Sequence, residues 1–296
     1  MATPFLNGKI SIVTGASRGI GKGIAVQLAT AGSKVYITGR TLHLQEDGRG
    51  SLAETAREIH SQGGVCVPIQ CDHSKDSDTE QLFARVKEEN GGQLDILVNN
   101  AFSGNDIMIK ERVKSFWDHP LSMWDDINNV GLRNVYLCSI YGSRLMVPRK
   151  SGIIINISSA GGSMCMFNPA YGIGKAGVDR MAADCALELK KHNVAFVSLL
   201  PGPVSSETVF TLIKAAKDRG ENVQDYKSVV EKAETPDFVG KCVVSLTSDP
   251  SIMEKTGKAL PTFELAKEYG IKDEQGHGPV TDSKEVLLNF VQGHII

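Results

Sequence analysis

Short apolar runs rich in β-branched residues alternate along the chain with longer segments whose apolar residues recur at helical spacing. The runs are Ile10–Val13, Val35–Ile37, Val65–Ile69, Ile96–Val98, Ile153–Ile157 and Ala195–Leu200. They are nearly continuous in apolar residues instead of alternating, which suits strands covered on both faces of a parallel sheet. Helical spacing marks Gly19–Ala29, Ser51–His60, Asp78–Glu89, Met123–Met146 and Ala170–Lys191. Strand–helix alternation with short connections predicts an α/β fold: one Rossmann-type domain with a doubly wound parallel sheet of about seven strands and helices on both faces. No linker rich in Pro, Gly or Ser divides the chain, and no internal repeat is present. Three segments read as additions: the polar loop Leu42–Gly50, the long connection Phe102–Ser122, and a weakly patterned extension over 262–296 beyond a core of about residues 8–261.

Composition narrows the function classes. A hydrophobic share of 41%, 22% charged residues and a formal net charge of -2 describe an ordinary globular protein with no field to attract nucleic acid or anionic lipid. No apolar run reaches the ~18–20 residues that span a bilayer, and the start of the chain lacks the layout of a signal peptide. The six cysteines include no CxxC pair and sit mostly in apolar runs, which predicts reduced thiols and a cytoplasmic setting, with peripheral endomembrane association left open. Cys71-Asp72-His73 has no second ligand pair at zinc spacing, so no metal site is expected.

The candidate chemistry lies at the predicted carboxyl ends of the strands, where doubly wound sheets bind ligands. Thr14-Gly15-Ala16-Ser17-Arg18-Gly19-Ile20-Gly21 joins the first strand to a helix. Its glycines allow a close backbone approach to a pyrophosphate, and the helix N-terminus offers free N–H groups. The second strand ends in Thr38-Gly39-Arg40 with no carboxylate to hold a ribose 2′-hydroxyl. Arg40 and Arg18 instead suit a 2′-phosphate, so NADP(H) is the expected cofactor over NAD(H). Asp72 is placed to accept from an adenine amino group, and Asn99 from Asn99-Asn100-Ala101 to contribute amide contacts.

Tyr171-Gly172-Ile173-Gly174-Lys175 places a phenol and an ammonium one helical turn apart. A free tyrosine ionises near pH ~10. A neighbouring ammonium is expected to lower that value, and can also reach ribose hydroxyls.

These motifs together resemble the short-chain dehydrogenase/reductase family in its non-extended form. TGASRGIG, Asp72, NNA, INISS, YGIGK and PGPV stand in the family's order and near its spacing, over nearly the whole chain to about Leu260. TGKAL near Gly257 resembles its last strand. MWDDINNVGLR, GSRLMVP and MFNPAYGIGKA further resemble the subgroup called dehydrogenase/reductase member 1. The resemblance implies a carbonyl reduction, or the reverse alcohol oxidation. In it Tyr171 is the acid/base and also contacts the cofactor, Lys175 tunes Tyr171 and holds the ribose, and a serine hydrogen-bonds the substrate oxygen. Pro201, Gly202, Val204 and Ser206 would lie over the nicotinamide carboxamide. Family members often pair through the helices matching Met123–Met146 and Ala170–Lys191, so a homo-oligomer is implied. The apolar residues of Val204–Glu234 would roof the cleft over a hydrophobic carbonyl substrate.

Three departures qualify the match. Strict counting assigns the serine to Ser158, whereas alignment of INISS assigns it to Ser159, which is the expected residue. Phe102 replaces the glycine of NNAG. Gly131 stands where the family carries a catalytic asparagine, while Asn128, Asn129 and Asn134 are expected on other helical faces, so the proton relay is rerouted or turnover slowed. The alternative is a catalytically weak NADP(H)-binding sensor or scaffold of the same fold. An epimerase is disfavoured by the spacing of Gly15, Gly19 and Gly21, and a hydrolase by the want of a nucleophile elbow.

Overall fold

Parallel pairing runs through the whole sheet of this computed structural model, which describes residues 5–273 apart from 47, 221–222, 224–229 and 232. Among the described residues the strands are β1 (Ile10–Val13), β2 (Lys34–Gly39), β3 (Val65–Gln70), β4 (Ile96–Asn99), β5 (Gly152–Ile157), β6 (Val194–Leu200) and β7 (Ala259–Pro261). Their order is β3-β2-β1-β4-β5-β6-β7. The chain reverses its direction of winding between β1 and β4, which opens a crevice at the carboxyl ends of those two strands.

The helices are α1 (Gly19–Thr30), α2 (Leu52–Ser61), α3 (Asp76–Glu89), α4 (Asn105–Glu111), α5 (Met123–Asn128), α6 (Val135–Arg149), α7 (Pro169–Leu189), α8 (Glu207–Asp218), α9 (Pro236–Ser248), α10 (Ile252–Lys255) and α11 (Thr262–Tyr269). One core lies under α1, α2, α9 and α11 and takes Val13, Val98, Ile155 and Val197 from the sheet. The other lies under α3, α6 and α7 and takes Ile12, Leu97, Ile154 and Phe196. Successive strand residues thus feed opposite cores, which is why the strands read as unbroken apolar runs. Ile12 and Leu97 are fully buried, each such side chain stabilising the fold by roughly 1.5–3 kcal/mol, so the strand ends that carry the site are held rigidly.

Four expectations change. β3 is an edge strand with Val65 exposed, and Pro68 lies within it, where a missing N–H is tolerated. The long helix expected over Met123–Met146 is α5 and α6 joined by a π-helical turn at Asn129–Asn134. Phe102–Ser122 contains α4 and a short 3-10 turn at Phe116–Asp118. The weakly patterned extension begins instead with α11, whose Thr262, Leu265 and Ala266 are buried. The rest of that extension, 274–296, lies outside the described residues.

Candidate active site

The carboxyl end of β1 builds the cofactor end. Thr14 Oγ1 accepts from the N–H groups of Asn100 (2.9 Å) and Ala101 (3.0 Å), clamping the loop after β1 to the loop after β4. Asn100 Nδ2 donates to the carbonyls of Thr14 (2.8 Å) and Gly15 (2.9 Å). Gly15 turns with φ +67°, and a Cβ there would lie 2.7 Å from Ala101 Cα. A Cβ on Gly21 would strike Asn100 and the Gly15 carbonyl. The loop therefore passes close to its neighbours on backbone alone, and α1 opens behind it with Arg18 at its N-cap.

Ser17, Arg18, Gly19, Ile20, Arg40 and Asp72 line the same cleft, together with Gly15 and Gly21. The loop Leu42–Gly50 is part of this end. A Cβ on Gly50 would lie 2.8 Å from the Ser17 carbonyl, and Arg49 reaches across to Asp106 at 3.2 Å. Asp72 is held by the Ser74 N–H (3.1 Å) and hydroxyl (2.8 Å), and its carboxyl lies below the usual range. Burial opposes that shift, whereas the Ser74 hydrogen bonds and the Arg40 charge produce it.

Asn99 does not reach this cleft. Its side chain points into the protein, where Nδ2 donates to Ser139 (3.0 Å) and Asn156 (2.9 Å), and Asn100 lines the cleft in its place. Alternation along β4 explains the exchange, since successive residues face opposite ways. His73, beside Asp72, is fully enclosed. Its ring bonds Thr38 Oγ1 and Asn134 Oδ1, each at 2.7 Å, and burial holds its pKa down at about 4.

The other end of the cleft is set by α7. Asn168 caps this helix through Oδ1, which accepts from Tyr171 N–H at 3.0 Å, and Pro169 occupies the first turn. Tyr171 and Lys175 then face the cleft one turn apart, with Asp179 one turn further on. Tyr171 is flanked edge-on by Phe102 (5.9 Å between ring centres) and Phe167 (5.2 Å). Lys175 Nζ donates to the Ile157 carbonyl at 2.8 Å and lies over the rings of Phe102 (5.4 Å) and Tyr171 (5.8 Å).

Ser158 and Ser159 both line the cleft, but Ser159 is held by the turn that follows β5. Its Oγ accepts from Gly161 N–H at 3.1 Å, which leaves the hydroxyl proton for a partner in the cleft, and it hydrogen-bonds Tyr171. Ser158 is buried and turned to Asp179 with Ser198, although Ser158 Oγ, Ser198 Oγ and Asp179 Oδ1 all lack a well-formed hydrogen bond.

The electrostatics correct one expectation. Burial pushes the Tyr171 phenol up to about 12, against the Ser159 hydrogen bond and with the Asp179 charge adding to the rise. Lys175 Nζ, bonded to the Ile157 carbonyl, does not offset this rise. Burial pulls Lys175 itself down to about 8, and the Asp179 charge opposes that fall. At neutral pH the pair is therefore a protonated phenol beside an ammonium, a proton donor with a cation behind it.

Pro201, Gly202, Val204 and Ser206 line the cleft opposite α7. Their segment is pinned by a residue that sequence reading passed over. Glu234 pairs its backbone with Pro203 and Ser205, and its carboxyl accepts from Thr262 Oγ1 at 2.6 Å. Burial raises that carboxyl to about 7. The expected roof Val204–Glu234 contributes Val209 and Leu212 of α8, while most of 221–232 lies outside the described residues. Asn129, the first residue of the π turn, also lines the cleft, although regular helical spacing turns it away. Cys165 is exposed at the cleft, unlike the buried Cys66, Cys71, Cys138 and Cys242.

Comparison with known proteins agrees with this geometry. The family model for short chain dehydrogenase matches residues 9–216. Dehydrogenase/reductase SDR family member 1 of Homo sapiens is 50% identical, over 99% of this chain and 92% of that protein. Among solved structures, a point variant of actinorhodin polyketide ketoreductase with NADPH aligns with a TM-score of 0.73 at 25% identity, covering 86% of this chain and 95% of that one. A metagenomic short-chain oxidoreductase in complex with NADP aligns at 0.65 and 27% identity, covering 87% and 98%. With its parallel sheet, glycine loop and Ser159–Tyr171–Lys175 end, the chain belongs to the short-chain dehydrogenase/reductase family of oxidoreductases.

Proposed function

We propose that the chain is an NADP(H)-dependent oxidoreductase that reduces a ketone or aldehyde, or oxidises the matching alcohol, with Tyr171 as acid/base. The observation that carries this reading is one continuous cleft. It joins a glycine loop flanked by Arg18 and Arg40 to a protonated phenol beside an ammonium. The cleft measures about 1420 Å³, more than one drug-sized ligand requires, which leaves room for a dinucleotide and a substrate together. Similar structures that hold NADPH and NADP support the same cofactor here.

The backbone from Gly15 to Gly21 would bind the pyrophosphate, Arg18 and Arg40 the 2′-phosphate, Asp72 the adenine amino group, and Lys175 the nicotinamide ribose. When bound, the dinucleotide supplies the hydride. Tyr171 holds its proton at Oη and gives it to the carbonyl oxygen. Ser159 donates a hydrogen bond to the same oxygen as charge develops there. The Lys175 ammonium then faces the phenolate that remains, and an oxidation would run these proton movements in reverse. Phe116, Met166, Phe167, Val209 and Leu212 give the substrate end an apolar lining, which favours a hydrophobic carbonyl compound. Exposed Tyr136, Ile173 and Leu187 on α6 and α7 support pairing of two copies, and six unpaired cysteines support a reducing cytoplasm.

Titration with NADPH and NADH tests the cofactor assignment. Replacing Arg18 and Arg40 by Ala is expected to weaken NADPH binding about ten- to hundredfold, the loss of one or two charge-assisted bonds, with NADH binding unchanged. An equal loss for both dinucleotides would remove the 2′-phosphate from the proposal.

A further inference from the structure

Phe102 and Gly131 departed from the family pattern separately in the sequence, but they meet in space. A Cβ on Gly131 would lie 2.9 Å from Phe102 Cδ2 and 3.0 Å from its Cε2. At the tip of the ring, a Cβ on Gly104 would lie 2.8 Å from Phe102 Cζ. The ring thus packs against two glycines, and a side chain at either would press on it, at Gly104 also on Ile127. From that slot it faces Lys175 Nζ at 5.4 Å and sets itself at 83° to the Tyr171 ring. Met108, Met123 and Ile127 pack around the same cluster, so the ring is fixed from the α4–α5 side as well.

We propose that Phe102 is a positioning residue of the Tyr171–Lys175 pair, and that Gly104 and Gly131 are small in order to admit its ring. This rests on the catalytic reading of that pair given above. An aromatic face attracts a cation, so the ring favours the charged form of Lys175 and helps keep its Nζ on the Ile157 carbonyl. The ring edge against Tyr171 fixes the plane in which the phenol hydroxyl points. The volume that a side chain at 131 would occupy is filled by the Phe102 ring. Gly131→Asn alone would therefore push on the ring instead of adding a relay group.

The test separates ring volume from ring face. Phe102→Leu keeps an apolar plug but removes the face, and Gly131→Ala pushes on the plug. Lys175 is titrated by its pH-dependent acetylation with acetic anhydride, read by mass spectrometry. Reduction of aromatic aldehydes, vicinal diketones and ketosteroids by NADPH is followed alongside. Phe102→Leu is expected to move the Lys175 midpoint to lower pH by about half to one unit, and the alkaline limb of turnover with it. Gly131→Ala is expected to lower Tm by several degrees and turnover about tenfold, with both losses largely relieved when Phe102 is also changed to Ala. An unmoved Lys175 midpoint in Phe102→Leu, or a Gly131→Ala penalty of the same size in both backgrounds, would overturn the proposal. If the unaltered protein reduces none of these compounds, the functional reading fails. The acetylation and Tm measurements still decide the role of Phe102.

Discussion

Two adjacent serines, alike in sequence, are separated by what each hydroxyl faces. Ser159 Oγ is anchored by Gly161 N–H and looks into the cleft, whereas Ser158 Oγ is turned inward to Asp179. Ser159→Ala is expected to lower kcat about 10²-fold or more, the usual cost of removing an oxyanion donor, and Ser158→Ala to leave it within a few fold. Steady-state kinetics on the two variants checks this, and the opposite ranking would return the role to Ser158. Asp179 is the counter-charge that keeps Lys175 protonated against burial. Its removal in Asp179→Asn lets Lys175 fall further below about 8, so the alkaline limb of the reduction profile is expected at lower pH than in the parent. An unmoved limb would show that Lys175 does not set it. Asp179 was not singled out from the sequence, since a carboxylate two turns beyond Tyr171 looks like any helix-surface charge until the packing above it is known.

At the scale of elements, His73 joins three of them. Its ring bonds Thr38 at the end of β2 and Asn134 of the π turn, and Asn134 in turn donates to Thr79 of α3 at 2.8 Å. Burial lowers the folded-state pKa of His73 from 6.5 to about 4, so the unfolded chain binds the extra proton between those values. Stability is therefore fully present above pH 6.5 and is lost as pH falls toward 4, by about 3 kcal/mol from this group. Denaturant unfolding across that range should show a shallower acid loss in His73→Gln than in the parent, and equal slopes would contradict the assignment. The strands and the main covering helices were legible because burial on both faces leaves its mark as apolar runs and helical spacing. The π turn was not, since one period of 3.6 fits the residues on either side of it. α9 carries readable signals, Thr235 accepting from Phe238 N–H at 3.1 Å with Pro236 in the first turn. β3 read as a buried strand because its residues are apolar, although Pro68 already pointed to an edge.

Across the whole molecule, the reversal of winding at β1 and β4 brings distant segments to one crevice: the glycine loop, Asn100, Ser159, α7 and the segment after β6. Their order along the chain was enough to place them at strand ends. The acidity of the site was not legible, because burial between Phe102 and Phe167 overrides the neighbouring lysine. In the proposed reaction Tyr171 supplies the proton, and most of the cofactor's contacts come from other residues. Single-turnover oxidation of NADPH by Tyr171→Phe, with cofactor binding measured in the same samples, tests that role most directly. NADPH affinity is expected within a few fold of the parent, with a chemical step slower by about 10²–10⁴-fold, the range typical of general acid catalysis. A variant that binds NADPH and turns over at the parent rate would contradict that role.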